Sequence, residues 1–160
     1  MKAAIGEYKP SDEELVVGLS LRAWAPVFAA VEEMLGSELF VRLRGDWQVG
    51  QAAAVREVLA DPDQRVWVAN VDREPVGFVA ARLERDSGVG EIYMIAVDPG
   101  AQGQGVGTAL TGVATDLLRR SGMRVAMVET GGDAGHAPAR RVYEKADYTP
   151  LPAVRYFRAL

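Results

Sequence analysis

A short apolar run, Glu91-Ile92-Tyr93-Met94-Ile95-Ala96-Val97, passes through Asp98-Pro99-Gly100-Ala101-Gln102-Gly103-Gln104-Gly105 into Val106, Leu110, Val113 and Leu117, which step by four, three and four residues. A strand therefore meets an amphipathic helix across a glycine-rich turn, and Ser121-Gly122 stops the helix. Without a Cβ, successive glycine N–H groups can converge on an anion, and the helix N-terminus adds partial positive charge. The junction calls for a sheet with a helix packed on it, and it predicts a phosphate-bearing ligand.

The rest of the chain builds around that junction. The first sixty residues read as helices. Ser11 and Glu14 form a capping box ahead of Leu15, Leu19 and Ala23, and Pro26 restarts the chain. Val27, Val31, Met34 and Leu35 form a second stripe ending at Gly36, and Asp46 caps a helix through Val55, Val58 and Leu59 to Asp61-Pro62. Strands follow at Val66 to Val71, Val76 to Leu83 and Gly90 to Val97, joined by short turns that imply an antiparallel meander. After the glycine helix come a strand from Arg124 to Val128, a loop from Thr130 to Gly135, and a helix marked by Ala139, Val142, Tyr143 and Ala146. Val154 to Leu160 reads as a closing strand. There is no internal repeat and no apolar run of about 20 residues, so a signal peptide or membrane span is not expected and the default compartment is the cytoplasm.

Composition narrows the chemistry. At 160 residues and 49% hydrophobic, the chain has the length of one domain with a sizeable core. Its 18 basic and 22 acidic residues are interspersed, which argues against a nucleic-acid partner. The absence of cysteine excludes disulfides and thiolate chemistry. A single histidine, His136, without a carboxylate cluster at ligand spacing excludes a multi-histidine zinc site, so no metal is expected.

Three phosphate motifs compete for the glycine turn. Gly100 and Gly105 have the Walker A separation, but Val106 stands where lysine is required. The dinucleotide fingerprint fails because Gly103 and Gly105 are followed by Thr108, and Gly105 and Gly107 by Leu110. What remains is Gln102-x-x-Gly105-x-Gly107, which resembles the Q/R-x-x-G-x-G/A signature of the GNAT superfamily of acetyl-CoA-dependent N-acetyltransferases. Glu91 to Pro99 is similar to that family's fourth strand, and His136 to Tyr148 to its later helix, so the likeness covers most of Glu91 to Tyr148.

The resemblance implies a three-layer α/β (α+β) fold over residues 1–160, forming a single N-acetyltransferase domain. Its sheet would be mixed but mostly antiparallel, with 6 to 7 strands splayed between strands 4 and 5 and flanked by helices. It implies acetyl-CoA as cosubstrate. The backbone of Ile95, Ala96 and Val97 would hold the pantetheine arm, and Gln102, Gly103, Gln104, Gly105, Val106, Gly107 and Thr108 would hold the pyrophosphate. His136, Arg140 and Tyr143 would be further coenzyme contacts. Arg141 and Lys145 are alternatives for pairing with phosphate, since guanidinium forks match phosphate oxygens, or else are ordinary exposed helix charges.

Aminolysis of a thioester needs a neutral amine, a proton acceptor, an oxyanion donor and an acid for the departing sulfur. Tyr143 lies in Ala139-Arg140-Arg141-Val142-Tyr143-Glu144-Lys145, similar to the family helix whose tyrosine is the general acid. Glu91 holds the strand position of the general base in one branch, and by two-residue alternation shares a face with Tyr93 and Ile95. Trp24, Phe28 and Glu129 are the candidate substrate-binding residues, and Asp147-Tyr148 replaces the family's usual Gly-Phe. The expected reaction is acetyl transfer to a primary amine of a small molecule or peptide by direct attack in a ternary complex. The alternatives are a non-catalytic acyl-CoA-binding module and a protein N-terminal or lysine acetyltransferase. A monomer or homodimer is expected, with no membrane partner.

Overall fold

The computed structural model describes residues 2–160. Its regular elements are β1 (Ala4–Glu7), α1 (Glu13–Leu35), α2 (Ser37–Arg44), α3 (Trp47–Ala60), β2 (Arg65–Val71), β3 (Glu74–Glu84), β4 (Val89–Val97), α4 (Val106–Arg120), β5 (Val125–Val128) and α5 (Ala137–Lys145). The strands form one sheet in the order β1-β2-β3-β4-β5, antiparallel except for the parallel β4–β5 pair. This mixed α/β arrangement has the expected class, but the described residues contain five strands, not 6 to 7.

Two strands differ from those expected, one gained and one lost. Ala4–Glu7 is a strand paired with β2, so Glu91 to Val97 is the fourth strand. The expected closing strand is absent: residues 149–160 have no regular structure and are exposed throughout, including Leu151, Val154 and Tyr156. A lone strand needs a ladder to satisfy its backbone, β5 offers only four residues, and Pro152 lacks a donor.

The sheet separates two cores. On one face α4 buries Leu110, Ala114 and Leu118 against Val79, Ala81 and Ile92; on the other, α1 and α3 bury Val16, Leu19, Val55 and Leu59 against Val68 and Phe78. Pro26 does not restart the chain, because α1 continues through it. A proline inside a helix removes one N–H donor and costs ~3 kcal/mol. Here it lies on the exposed side of a helix held at one end by the sheet and at the other by α2. Nor does Ser11 cap α1: it lies in the turn Pro10–Asp12, where the Lys9 N–H donates to Asp12 Oδ2 at 3.2 Å. The segment Pro10–Leu35 is long and apolar enough by length and composition to cross a membrane, with mean hydropathy 1.5, although no such run was expected; its fully buried residues face the sheet. Asp46 caps α3 as expected, accepting from the Val49 N–H. The β2–β3 turn uses Asp72 and Arg73, both at positive φ, as a two-residue hairpin turn requires.

Candidate functional site

β4 is paired along its whole length by β3, but β5 pairs only with its first part, Val89–Ile92 against Val125–Val128. From Tyr93 onward the strand is open on the β5 side. The Asp98 N–H donates to the Val76 carbonyl at 2.8 Å, and the register sets Ala96 opposite Phe78 and Val97 opposite Gly77. Antiparallel alternation then turns the backbone groups of Ala96 toward β3 and those of Ile95 and Val97 into the gap. Of the three expected pantetheine contacts, two face the opening; Ala96 has its backbone on β3 and its side chain in the α1 core.

At the end of β4, Asp98 caps the turn Pro99–Ala101, accepting from the Gly100 N–H at 3.0 Å and from Arg22 Nε at 2.8 Å. Burial pushes the Asp98 carboxyl up, but the Gly100 N–H and the Arg22 guanidinium outweigh it and leave the group below its ordinary value. Gln102 Nε2 donates to the Val97 carbonyl at 3.1 Å, and Gln104 Nε2 to the Gly100 carbonyl at 3.2 Å, so both amides fold the loop. Gly103 and Gly105 lie at φ +75° and +82°, and a Cβ at either would meet no atom within 4 Å. The free N–H groups of the first turn of α4, with Thr108 exposed and Val106 buried as an anchor, border that open space. N–H groups at a helix start beside open space can hold an anion.

The opposite wall is α5. A Cβ on Gly107 would lie 3.8 Å from Val97 and 3.9 Å from Val142, which places the start of α4, the end of β4 and the middle of α5 together. Next to Val142, Tyr143 is 8% exposed, and burial, with a smaller effect of Tyr148, pushes its hydroxyl up to about 12. His136 and Arg140 are engaged within the preceding loop. His136 Nδ1 pairs with Asp133, and Arg140 Nη1 donates to the carbonyls of Gly131 and Asp133 at 2.7 and 2.6 Å. Arg140 thus braces the loop where the sequence reading had it on the coenzyme.

Glu91 faces the α1–α3 side, where Arg82 donates to its carboxylate from Nε at 2.7 Å. A bulge opposite Ala80 and Ala81 inserts Tyr93 and reverses the alternation, so Glu91 and Ile95 lie on opposite faces. The Arg82 guanidinium also covers the Tyr93 ring at 4.2 Å. Trp24 packs edge-on against Phe78, and Phe28 stacks on Trp47 with centroids 4.5 Å apart, so Trp24 packs α1 on the sheet and Phe28 packs α1 on α3. Glu129 is exposed just beyond β5. Asp133, Arg22 and Arg82 were not found from sequence, because each acts through a tertiary pairing that no local spacing announces.

Comparison with known proteins agrees with this geometry. Residues 29–148 match the family model described as Acetyltransferase (GNAT) family. The chain is 48% identical over 66 residues to a mycothiol acetyltransferase of Beutenbergia cavernae, covering 41% of this chain and 22% of that protein. It is 32% identical over 164 residues to a mycothiol acetyltransferase of Saccharomonospora viridis, covering 92% and 51%. It therefore spans between about a fifth and about half of the length of these curated relatives. Among solved structures it superposes with TM-score 0.66 and 26% identity on a GNAT-family protein from Desulfovibrio desulfuricans, covering 90% of this chain and 83% of that one. It also superposes with TM-score 0.69 and 17% identity on AAC(6')-Iy in complex with the bisubstrate analogue CoA-S-monomethyl-acetylneamine, covering 100% and 99%; that likeness is one of fold. With an opened β4, a glycine cradle at its end and the family match running from α1 to Tyr148, this chain belongs to the GNAT acetyltransferase family.

Proposed function

We propose that this chain binds acetyl-CoA between β4 and β5 and transfers the acetyl group to a primary amine of a small molecule, by direct attack with both substrates bound. The observation that carries this reading is the stretch Tyr93–Val97, paired on the β3 side only and ending in the glycine cradle. An arm bearing amides can pair with Ile95 and Val97 as an added strand, and the N–H groups at the start of α4 suit a pyrophosphate. The Ile95 N–H is the candidate donor to the thioester oxygen as it gains charge. Tyr143 is the candidate acid. At about 12 its hydroxyl stays protonated at neutral pH, and because a thiol ionises near ~8.5, its proton passes to sulfur only as the amine nitrogen supplies another. Glu91, paired with Arg82, is less available as a base.

On the α1 face, Tyr93 of β4 and Val125 and Met127 of β5 are exposed large side chains, with Glu91 paired opposite Met127. Their partners in alternation, Ala126 and Val128, pack under α4. This supports approach of the acceptor from the α1 face. Relatives named for mycothiol favour a small-molecule acceptor over a protein.

The test combines calorimetric titration of coenzyme A with free-thiol release from acetyl-CoA in the presence of glucosamine, benzylamine and a glycyl peptide. Binding with turnover of the small amines is expected. Binding without turnover would identify an acyl-CoA-binding module, turnover of the peptide alone a protein acetyltransferase, and failure to bind would overturn the reading.

A further inference from the structure

His136 is the single histidine of the sequence, and the fold gives it a defined partner. Its Nδ1 lies 2.5 Å from Oδ1 of Asp133, whose side chain is only 9% exposed. Burial raises the Asp133 carboxyl, but the His136 hydrogen bond and charge outweigh it and hold the group below its ordinary value. A carboxylate can only accept, so the hydrogen of the pair resides on Nδ1, and the neutral ring keeps its lone pair on Nε2.

The position of the pair is equally defined. Its loop leaves β5 where the sheet opens. A Cβ on Gly135 would lie 3.4 Å from Ala30 and 3.8 Å from Val27, so the loop rests on α1, and Arg140 ties the loop carbonyls to α5. The same helix is fixed to the end of β4 through Arg22 and Asp98, so α1 bridges both lips of the gap. His136 is the residue just before α5, about one turn ahead of Arg140 and two ahead of Tyr143. Seven residue steps separate His136 from Tyr143, ~10 Å at helical rise.

We propose that His136, oriented by Asp133, is the proton acceptor for the incoming ammonium group, with Asp133 as its positioning residue; this rests on the acetyl-transfer reading above. The ammonium gives one proton to Nε2, directly or through one water, and the Asp133 carboxylate stabilises the imidazolium. The freed nitrogen forms a bond to the thioester carbonyl carbon as the carbon–sulfur bond breaks. Its second proton passes through the Tyr143 hydroxyl to sulfur, and His136 releases its proton to solvent. One ammonium and one thioester thus give one amide, one thiol and one proton. The ring is paired with Asp133, Arg140 sits on the carbonyls of Gly131 and Asp133 in the same loop, and α1 presents the uncharged Val27 and Ala30 to Gly135.

Because there is one histidine, long-range nitrogen–proton NMR reads its tautomer without assignment. The expected form is Nδ1–H in the wild type, giving way to a mixture in Asp133→Asn. With acetyl-CoA and whichever amine of the panel turns over best, His136→Gln is expected to lower kcat/KM about 100-fold and to abolish the acidic limb of its pH profile, with the Kd for coenzyme A unchanged. Asp133→Asn should give about a tenfold loss. An Nε2–H tautomer, or His136→Gln turnover within about threefold of wild type with the acidic limb intact, would overturn this proposal alone. A wild-type chain that binds coenzyme A and acetylates nothing would overturn the transfer reading and this proposal together.

Discussion

The N–H of Tyr148 donates to the carbonyl of Tyr143 at 3.0 Å, and their rings lie 6.2 Å apart at 55°. With the Asp147 N–H on the Glu144 carbonyl at 3.2 Å, this closes α5 in a Schellman turn, including the side-chain contact that accompanies such turns. Thr115 uses its hydroxyl hydrogen on the Thr111 carbonyl at 2.8 Å, so in its 2.7 Å contact with Tyr148 the tyrosine is the donor. Tyr143 is therefore placed by the cap of its own helix, and that cap is tied to α4.

The cap contains a residue poorly suited to it. Asp147 adopts φ +63°, where an L-residue is disfavoured by roughly 1–2 kcal/mol. Asp147→Gly should raise stability by about 1 kcal/mol, the extra backbone freedom of glycine offsetting part of the relief. Urea denaturation should show a higher midpoint with unchanged slope; a lower midpoint would mean that the aspartate side chain itself supports the turn.

Tyr143→Phe removes only the hydroxyl. We expect kcat to fall by about 100-fold, with the KM for acetyl-CoA little changed and stability within about 0.5 kcal/mol. Burial raises this hydroxyl to about 12, so it remains a donor at and below neutrality and loses its proton only near that value. The wild-type profile should carry no basic limb from Tyr143 below pH ~10. A limb near pH 9 that vanishes in the variant would mean that burial does not raise the hydroxyl, and an unchanged kcat in Tyr143→Phe would contradict its role as the acid.

The parts legible in sequence are those set by local rules. The period of Val106, Leu110, Val113 and Leu117 marks α4, and the glycines before it mark the cradle. Strands β2 to β4 follow from β-branched runs and short turns. Ala4–Glu7 escaped because four residues containing Gly6 show no alternation, and it is a strand only through its pairing with β2. Pro26 misled because a helix anchored by α2 and the sheet tolerates one lost hydrogen bond. The bulge at Tyr93, which sends Glu91 away from Ile95, depends on register with β3. The roles of Arg140 and Asp133 depend on how a loop folds back on α1.

The cradle can be tested without touching the chemistry. At Gly105 a Cβ meets no neighbour, so the cost of Gly105→Ala comes from φ +82° alone, roughly 1–2 kcal/mol. The methyl would project into the space assigned to phosphate. Thermal denaturation should show a few degrees' loss, and the KM for acetyl-CoA should rise severalfold while that for the amine stays constant. An unchanged coenzyme KM would place the pyrophosphate elsewhere.

Asp98 joins the loop to α1, and its contribution depends on pH. Asp98→Ala loses the cap on Gly100 and the pairing with the largely exposed Arg22, about 1 kcal/mol in total at pH 7. Because the folded protein holds this carboxyl below its ordinary value of 3.8, the ionised form is the one that stabilises the fold. The stabilisation is complete above the unfolded value and disappears as pH falls through the lower folded value. The stability gap between wild type and Asp98→Ala should therefore be constant from pH 7 to about 5 and narrow below about 4. Asp98→Asn, which keeps an acceptor for Gly100, should show a smaller gap with the same acid dependence. Urea denaturation across pH 3 to 7 measures both, and a gap that widened in acid would mean that the carboxyl is raised in the folded state, with burial prevailing over Arg22.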